Sequence, residues 1–321
     1  MAGASAFVHG LRKGFNLNEK KEYVEFLCLL AEKVQEKYDG TVTAEVMESK
    51  KNNGVSVTGL MLKKEGNQVA PNFFLEKQFS EWECGVHSLE EIAGRLCATF
   101  EEEIEKNSHL VSAIVFQWEE FRHNVFMRLV NREKNTELLK NIPYREFMDL
   151  AIVYFYAVKI SEESQGTMVI TEEHLSMLGI EQEELHRAAE ENVRKLRPTR
   201  LCRMEELVVR LSDRLGIPVP VLREEQRFMY VLSNEPGMFG AVNVTLTEEL
   251  ERFSACVSPN FYVLPSSVHE VILVPDDAEF HPEKFADIVR DINATQVLET
   301  EVLSDSVYYF DGTLKRLRRV G

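Results

Sequence analysis

The stretch from Phe261 to Asp277 contains two apolar runs of strand-like composition on either side of a Pro-Ser-Ser turn. Proline and serine favour turns, whereas Val, Ile, Phe and Tyr favour strands. The second run has apolar side chains in both alternating sets, namely Val268, Ile272 and Val274 in one and Val271 and Leu273 in the other. Because successive strand side chains point to opposite faces, this pattern predicts a hairpin in a sheet covered on both sides.

Hydrophobic periodicity, capping residues and turn residues predict helices interleaved with hairpins. Helices are predicted over 16–38, 88–104, 119–139, 171–178, 182–196, 204–215, 247–256 and 282–293. Strands are predicted over 41–47, 55–63, 72–76, 148–160, 166–170, 229–233 and 241–246, and the first two flank the turn Lys51-Asn52-Asn53-Gly54. Parallel strands would need a crossover after each strand, so the order predicts an α+β fold with mainly antiparallel sheets and packed helices.

The length of 321 residues corresponds to about two domains. We expect residues 1–107 to form a helix-hairpin-strand-helix domain. We expect residues 108–321 to form a larger α+β domain that carries the Pro-Ser-Ser-Val-His-Glu hairpin.

Composition and charge limit the classes of protein to which the chain can belong. The formal net charge of −16 repels phosphate backbones and anionic membranes, which makes nucleic acid an unfavourable partner. Five widely spaced cysteines without a Cys-x-x-Cys pair are typical of reduced thiols. The longest apolar run, Leu150 to Val158, is shorter than the roughly 18 residues of a membrane span. These features predict a cytoplasmic protein without a membrane segment.

Several blocks of sequence occur in an order that is similar to a known family. They are KNNGVSVTGLMLKK, PNFFLE, FRHNVFMRLVNREKN, IPYREFMDLAIVYFY, MYVLSN, FGAVN, YVLPSSVHEVILVP and LSDSVYYF. Together they resemble a bacterial family known only as a domain of unknown function, common in anaerobic Gram-positive gut bacteria. The resemblance extends from about Asp39 to Phe310. It implies a bacterial cytosolic origin and brings no activity with it.

Ser267, His269 and Glu270 are the candidate catalytic residues, and two chemistries are open to them. Ser267 and His269 share one face of an extended chain and could act as nucleophile and base of a hydrolase. Residues i and i+2 of a strand lie about 6.6 Å apart, however, and an activating hydrogen bond spans roughly 2.6–3.2 Å. His269 and Glu270 point to opposite strand faces, which does not favour joint binding of a metal.

Acidic and histidine residues that follow the hairpin keep a metal-dependent site open as an alternative. They are Asp276, Asp277, Glu279 and His281. Carboxylate and imidazole groups are common metal ligands, but no motif with metal-ligand spacing accompanies them. The sequence therefore predicts no metal and no cofactor, with solvated acidic loop residues as the favoured interpretation.

Two basic clusters stand out in this acidic chain and are candidate anion-binding sites. The first contains Arg194, Lys195, Arg197, Arg200 and Arg203, and the second contains Lys315, Arg316, Arg318 and Arg319. They could bind a phosphorylated ligand or RNA, although no phosphate-binding loop accompanies them. Cations near a helix end and a basic tail that neutralises acidic surface are the favoured interpretation.

No set of polar residues in the sequence has both the residue types and the spacing of a known reaction. We therefore predict a non-catalytic cytosolic binding or regulatory module. The alternatives are a hydrolase or metal-dependent enzyme with a site near residues 265–281, and phosphate or RNA binding through the basic clusters. The sequence identifies neither a ligand, a protein partner nor an oligomeric state.

Overall fold

The structure is a computed structural model that describes residues 17–66, 70–107, 116–159, 165–216, 218–219, 228–265, 267–276 and 282–320. Its helices are α1 (Leu17–Lys37), α2 (Glu76–Glu83), α3 (Leu89–Asn107), α4 (Trp118–Phe121), α5 (Thr136–Leu139), α6 (Glu172–Leu178), α7 (Gln182–Leu196), α8 (Met204–Leu215), α9 (Thr247–Cys256) and α10 (Pro282–Thr295). The described strand pairs are antiparallel and form open sheets, which confirms the predicted α+β class.

Three strands and three helices form the N-terminal part of the fold. Strands β1 (Val42–Lys50), β2 (Ser56–Lys64) and β3 (Asn72–Phe73) form one sheet in that order. Helix α1 buries Tyr23, Leu27, Leu30 and Val34 at helical spacing against this sheet, α2 and α3. The predicted Asn-Gly turn between β1 and β2 is confirmed, since Asn53 and Gly54 both adopt positive φ. The division into domains at residue 107 stays a prediction.

A four-stranded sheet lies in the centre of the chain. It contains β4 (Val125–Asn131), β5 (Tyr144–Phe147), β6 (Leu150–Lys159) and β7 (Gln165–Val169), and β6 pairs with all three others. Helix α7 packs against this sheet through Leu185, Ala189 and Val193. Helix α6 begins with a capping box at Thr171, which confirms the helix predicted over 171–178.

A six-stranded sheet follows, with the order β13-β12-β10-β11-β9-β8. Its strands are β8 (Thr199–Arg203), β9 (Tyr230–Asn234), β10 (Asn260–Leu264), β11 (Val271–Pro275), β12 (Tyr308–Asp311) and β13 (Arg316–Arg319). The predicted hairpin is confirmed, because β10 pairs antiparallel with β11 and lies between β11 and β12. Helix α9 covers one face with Leu250 and Phe253, and α10 covers the other with Phe285 and Val289.

The two larger sheets share one hydrophobic core and are joined by polar contacts at its edge. Side chains from β4, β6, β10 and β12 belong to the same buried cluster. Asp149, in the two-residue turn between β5 and β6, accepts hydrogen bonds from Ser304, Ser306 and Tyr308. We call these four residues the Asp149 latch. It fixes the segment before β12 against the central sheet.

The tip of the first hairpin also contacts the later part of the chain. The Asn53 side chain donates to the carbonyls of Glu299 and Val302 at 2.7 Å each, and Asn52 donates to the Thr300 carbonyl at 2.8 Å. The Asn135 amide group bonds to the Asn53 side chain at 3.0 Å. The N-terminal sheet is therefore connected to residues 299–302 by side-chain hydrogen bonds.

The helix predicted over 119–139 is wrong. This segment contains α4, a 3₁₀ turn at Arg122–Asn124, strand β4 and the one-turn helix α5. Apart from the half-buried Arg128 and Asn131, the side chains of β4 are buried on both faces. Burial on both faces removes the apolar-polar alternation that identifies a half-exposed strand, and the remaining apolar run is compatible with either a helix or a strand.

The strand predicted over 241–246 is also wrong, because this run forms a 3₁₀ helix at Gly240–Thr245. Tertiary contacts impose the tighter winding. Asn243 donates to the Ser233 carbonyl at 2.8 Å, and the Ala241 N–H bonds to the Val268 carbonyl at 3.4 Å. Short apolar runs take the conformation that their surroundings require.

Smaller differences concern element ends and edge strands. The third predicted strand, over 72–76, is confined to Asn72–Phe73, and α2 begins at Glu76 without having been predicted. The basic segments at β8 and β13 are edge strands of the six-stranded sheet, for which the sequence gives no strand prediction. Charged side chains are common on edge strands because they discourage pairing with another chain.

Candidate functional site

Ser267 lies in the connection between β10 and β11 and is fully buried. Its hydroxyl oxygen accepts a hydrogen bond from the backbone N–H of His269 at 3.0 Å. Its backbone forms a bridge with Val302. This local side-chain-to-backbone bond is typical of serine in turns, where it replaces a missing backbone partner.

The His269 imidazole contacts Phe239 and Glu301. Its Nδ1 accepts the backbone N–H of Phe239 at 3.2 Å, and its ring stacks on the Phe239 ring with centroids 5.7 Å apart and an interplanar angle of 16°. Its Nε2 lies 3.5 Å from Glu301 Oε1. Because Nδ1 accepts a hydrogen bond, the neutral imidazole carries its proton on Nε2, which is directed toward the Glu301 carboxylate.

The three residues predicted from sequence, Ser267, His269 and Glu270, lie in the connection between β10 and β11, and each has different contacts. Ser267 bonds to the backbone of His269 and not to its imidazole, and the Nδ1 position is taken by Phe239. Glu270 is buried immediately before β11. A serine-histidine pair works as a nucleophile and base only when the hydroxyl donates to an imidazole nitrogen. The observed hydrogen bonds instead hold the turn in shape.

Phe239 has a backbone conformation that is unusual for an aromatic residue, with φ of 58°. The next residue, Gly240, lets this turn approach the backbone of Asn234 and His269 closely. A Cβ atom on Gly240 would lie 2.6 Å from the Asn234 nitrogen and 2.7 Å from the His269 carbonyl oxygen. Only glycine fits at position 240, and the turn places Phe239 directly against His269.

Arg128 completes the cluster from the central sheet. It lies in the middle of β4, and its guanidinium carbon is 4.9 Å from the centre of the Phe239 ring. Phe155 on β6 makes an edge-to-face contact with the same ring at 5.2 Å. We refer to Arg128, Phe239, His269 and Glu301 as the Phe239 cluster. Sequence reasoning missed Arg128 and Phe239, although a single arginine inside the apolar run Val125 to Val130 is a usable signal.

The first basic cluster does not converge on one site. Arg194 pairs with Glu190 and Glu248, and Lys195 pairs with Glu191. Arg197 is buried against the ring of Phe126 at 4.3 Å, and burial lowers the pKa of its guanidinium. Arg203 lies 6.0 Å from the Tyr230 ring, and Arg200 is half-buried on β8. These cations are distributed over α7 and an edge strand, each with its own surroundings.

The C-terminal basic residues have partners in the six-stranded sheet and in α9. Lys315 pairs with Glu251 at 2.6 Å, and the Arg318 guanidinium lies over the Tyr309 ring at 5.1 Å. Arg316 and Arg319 occupy the two ends of β13. The prediction that the tail neutralises acidic surface of its own chain or of a partner stays open, and Lys315 contacts the acidic Glu251 of its own chain.

The metal hypothesis concerned the loop after β11. Asp276 accepts a hydrogen bond from the Tyr309 hydroxyl at 2.8 Å, while Asp277, Glu279 and His281 lie outside the described residues. Within the described ranges, no group of three or more His, Cys, Asp or Glu side chains is placed to hold a metal ion.

An open cleft of about 510 Å³ lies beside the β8 edge, away from the Phe239 cluster. It is lined by Leu201, Cys202, Arg203, Glu206, Tyr230, Cys256 and Val257. Burial raises the pKa of the Cys202 thiol, which disfavours its reactive thiolate form. Cys202, Cys256 and Arg203 line the same cleft, and the two cysteines are free thiols.

The fold and the site define an α+β protein in which two antiparallel sheets meet beside a histidine, an aromatic ring and an arginine. The chain belongs to DUF5688, a family of unknown function, whose model matches residues 23–312. This match confirms the resemblance to a domain of unknown function and includes every residue of the Phe239 cluster and the Asp149 latch. No curated protein and no solved structure matches the chain. Within the described part of the chain, no helix has both the length and the apolar character required to cross a membrane.

Proposed function

We propose that this protein is a non-catalytic binding or regulatory module of the bacterial cytoplasm. The observation that carries the proposal is the use of Ser267 and His269 in backbone hydrogen bonds. The hydroxyl accepts the His269 N–H, and the imidazole Nδ1 accepts the Phe239 N–H. Groups engaged in this way stabilise a turn and present an aromatic-imidazole surface, which is a binding feature and not a reacting pair.

The position of the cluster also supports a binding role. Ligand sites occur preferentially where domains or sheets meet, and the Phe239 cluster lies between the two larger sheets and beside residues 299–302. The five free cysteines support the proposed cytoplasmic location, since reduced thiols are typical of that compartment. The glutamate partners of Arg194 and Lys195 argue for surface ion pairs, so RNA is not included in the proposal.

An experiment with a metabolite extract separates binding from catalysis. The purified protein is incubated with the extract and desalted rapidly, and mass spectrometry measures both the compounds that stay with the protein and the products that form. We expect at least one compound to be retained and none to be converted. Conversion of a compound by the parent protein, lost in the Ser267→Ala variant, would contradict the proposal and favour the hydrolase alternative. Ser258→Ala is the control, because Ser258 is also buried but its hydroxyl bonds to the Asn260 carbonyl away from the cluster.

A further inference from the structure

Arg128 is a charged residue inside an otherwise apolar buried strand. It shares a face of β4 with Phe126, which lies two positions away, and both contact aromatic rings of the shared core. Its Nε atom is buried and has no hydrogen-bond partner among the described residues. Buried polar atoms of folded proteins nearly always have a partner, so an unpartnered guanidinium nitrogen requires an explanation.

The charge of Arg128 also lacks compensation in the described structure. Burial lowers the pKa of its guanidinium, and no counter-charge from the described residues offsets that effect. Arginine stays protonated at neutral pH even so, because its ordinary pKa is very high. Burial of an unpaired charge is unfavourable, whereas a bound anion would provide both the missing charge and the missing hydrogen-bond acceptor.

The neighbouring residues hold the guanidinium in place and leave the cluster open to solvent. The Phe239 ring, fixed by its contacts with Phe155 and His269, lies under the guanidinium at 4.9 Å. The His269 and Glu301 side chains keep 18% and 23% of their surfaces exposed. Arg128 is itself only half-buried. The cation-π contact occupies the face of the guanidinium, so its in-plane N–H groups point away from the ring, where a small anion can meet them.

We infer that the Phe239 cluster binds a small, singly charged carboxylate through Arg128. A carboxylate is planar and accepts two parallel hydrogen bonds from a guanidinium. The imidazole Nε2–H of His269 is another donor in the cluster, because its distance of 3.5 Å to Glu301 is longer than a normal hydrogen bond. A single guanidinium neutralises the one charge of a carboxylate but not the second charge of a phosphate dianion. This inference rests on the proposed binding function and names the ligand class of the same site.

The test follows the Arg128 side chain by nuclear magnetic resonance. Protein labelled with ¹⁵N is titrated with sodium acetate, with sodium chloride at equal ionic strength, and with inorganic phosphate. We expect the Nε–H signal of Arg128 to shift saturably with acetate only. The signal is identified by its loss in Arg128→Gln, and Arg122→Gln is the matched control, because Arg122 also lies over an aromatic ring, that of Trp118, but on the exposed surface. Arg128→Lys is used if Arg128→Gln does not fold.

A linear response that is the same for acetate and chloride would overturn the inference, as would a saturable response to phosphate alone. These results leave the proposed function open to its own test. If the metabolite experiment retains a compound that is not a carboxylate, the binding function holds and the carboxylate inference fails. If it finds Ser267-dependent conversion of a compound, the proposed function fails whatever the acetate result.

Discussion

The Tyr308 hydroxyl donates a hydrogen bond to Asp149 Oδ1 at 2.6 Å and so joins β12 of one sheet to the β5–β6 turn of the other. Ser304 and Ser306 donate to Oδ2 of the same carboxylate at 2.5 and 3.0 Å. Burial opposes ionisation of Asp149, but these three hydroxyl groups outweigh it and lower its pKa below the ordinary value. One ionised side chain therefore links the two sheets at the edge of their shared core.

Removal of this acceptor is expected to destabilise the fold strongly. In Asp149→Asn the amide nitrogen cannot accept the hydroxyl protons of Ser304 and Ser306, so the hydrogen bonds from these hydroxyls to a charged acceptor are lost. Hydrogen bonds to charged groups contribute about 1.5–3 kcal/mol, so we expect a loss of about 3 kcal/mol in the free energy of unfolding. Tyr308→Phe removes one such bond and is expected to cost about 2 kcal/mol. Urea denaturation measures both values, with the exposed Asp291→Asn as the control. Equal stability of Asp149→Asn and this control would contradict the structural role of the latch.

The same carboxylate predicts a pH dependence of stability. The folded-state pKa of Asp149 lies below its ordinary value of 3.8, so in acid the unfolded chain binds more protons at this position. The stabilisation is therefore complete above the ordinary pKa and is lost as the pH falls through the folded-state pKa. We expect the difference in unfolding free energy between the parent protein and Asp149→Asn to shrink between about pH 5 and pH 2. Curves that stay parallel over this range would show that Asp149 is not the group responsible.

Two glycines are expected to respond with opposite sign to the same substitution. Gly240→Ala places a methyl group 2.6 Å from the Asn234 nitrogen, and overpacking of this kind costs about 1–3 kcal/mol. Gly94 lies in the middle of α3 with open space around its Cα, so Gly94→Ala should stabilise by about 0.5–1 kcal/mol. Thermal unfolding of the two variants checks both signs. A Gly240→Ala variant as stable as the parent protein would contradict the close approach of Gly240 to Asn234 and to the His269 carbonyl.

The tip of the first hairpin is expected to stabilise residues 299–302. Asn53→Ala removes two side-chain donors and places alanine at φ of 62°, whereas Asn53→Gly removes the same donors without backbone strain. We expect losses of about 3 and about 2 kcal/mol respectively. Amide hydrogen exchange of residues 299–302 should become faster in both variants, while Lys134→Ala, at an exposed position beside this contact, should leave it unchanged. Unchanged exchange in both asparagine variants would contradict the connection.

The β10–β11 hairpin was predictable from sequence because its period and its Pro-Ser-Ser turn point to the same structure. The segments around β4 and Gly240–Thr245 were not predictable in this way. Val125 to Val130 is buried on both faces, so its apolar run has no period that distinguishes strand from helix. Gly240–Thr245 takes its 3₁₀ form from hydrogen bonds to the Ser233 and Val268 carbonyls. Both partners lie outside the segment, so the segment's own sequence does not reveal them.

The candidate site was predictable only in part for the same reason. Local patterns identified His269, since a polar pair interrupts an apolar hairpin. Arg128 lies 141 residues before His269 in sequence and Phe239 lies 30 residues before it, and no local signal connects them. Strand spacing predicted a separation of the Ser267 hydroxyl from the His269 imidazole, and in the structure the hydroxyl accepts a hydrogen bond from the His269 backbone.

The most direct test of a non-catalytic role is the reactivity of the Ser267 hydroxyl. The folded protein is incubated with a fluorophosphonate, a reagent that labels activated serine nucleophiles, and peptide mass spectrometry measures the Ser267 peptide. An added serine hydrolase in the same reaction confirms that the reagent is active. We predict an unmodified Ser267 peptide, since this hydroxyl is fully buried and accepts the His269 N–H at 3.0 Å. A phosphonyl adduct on Ser267 that disappears in His269→Ala would contradict the account and identify a catalytic pair.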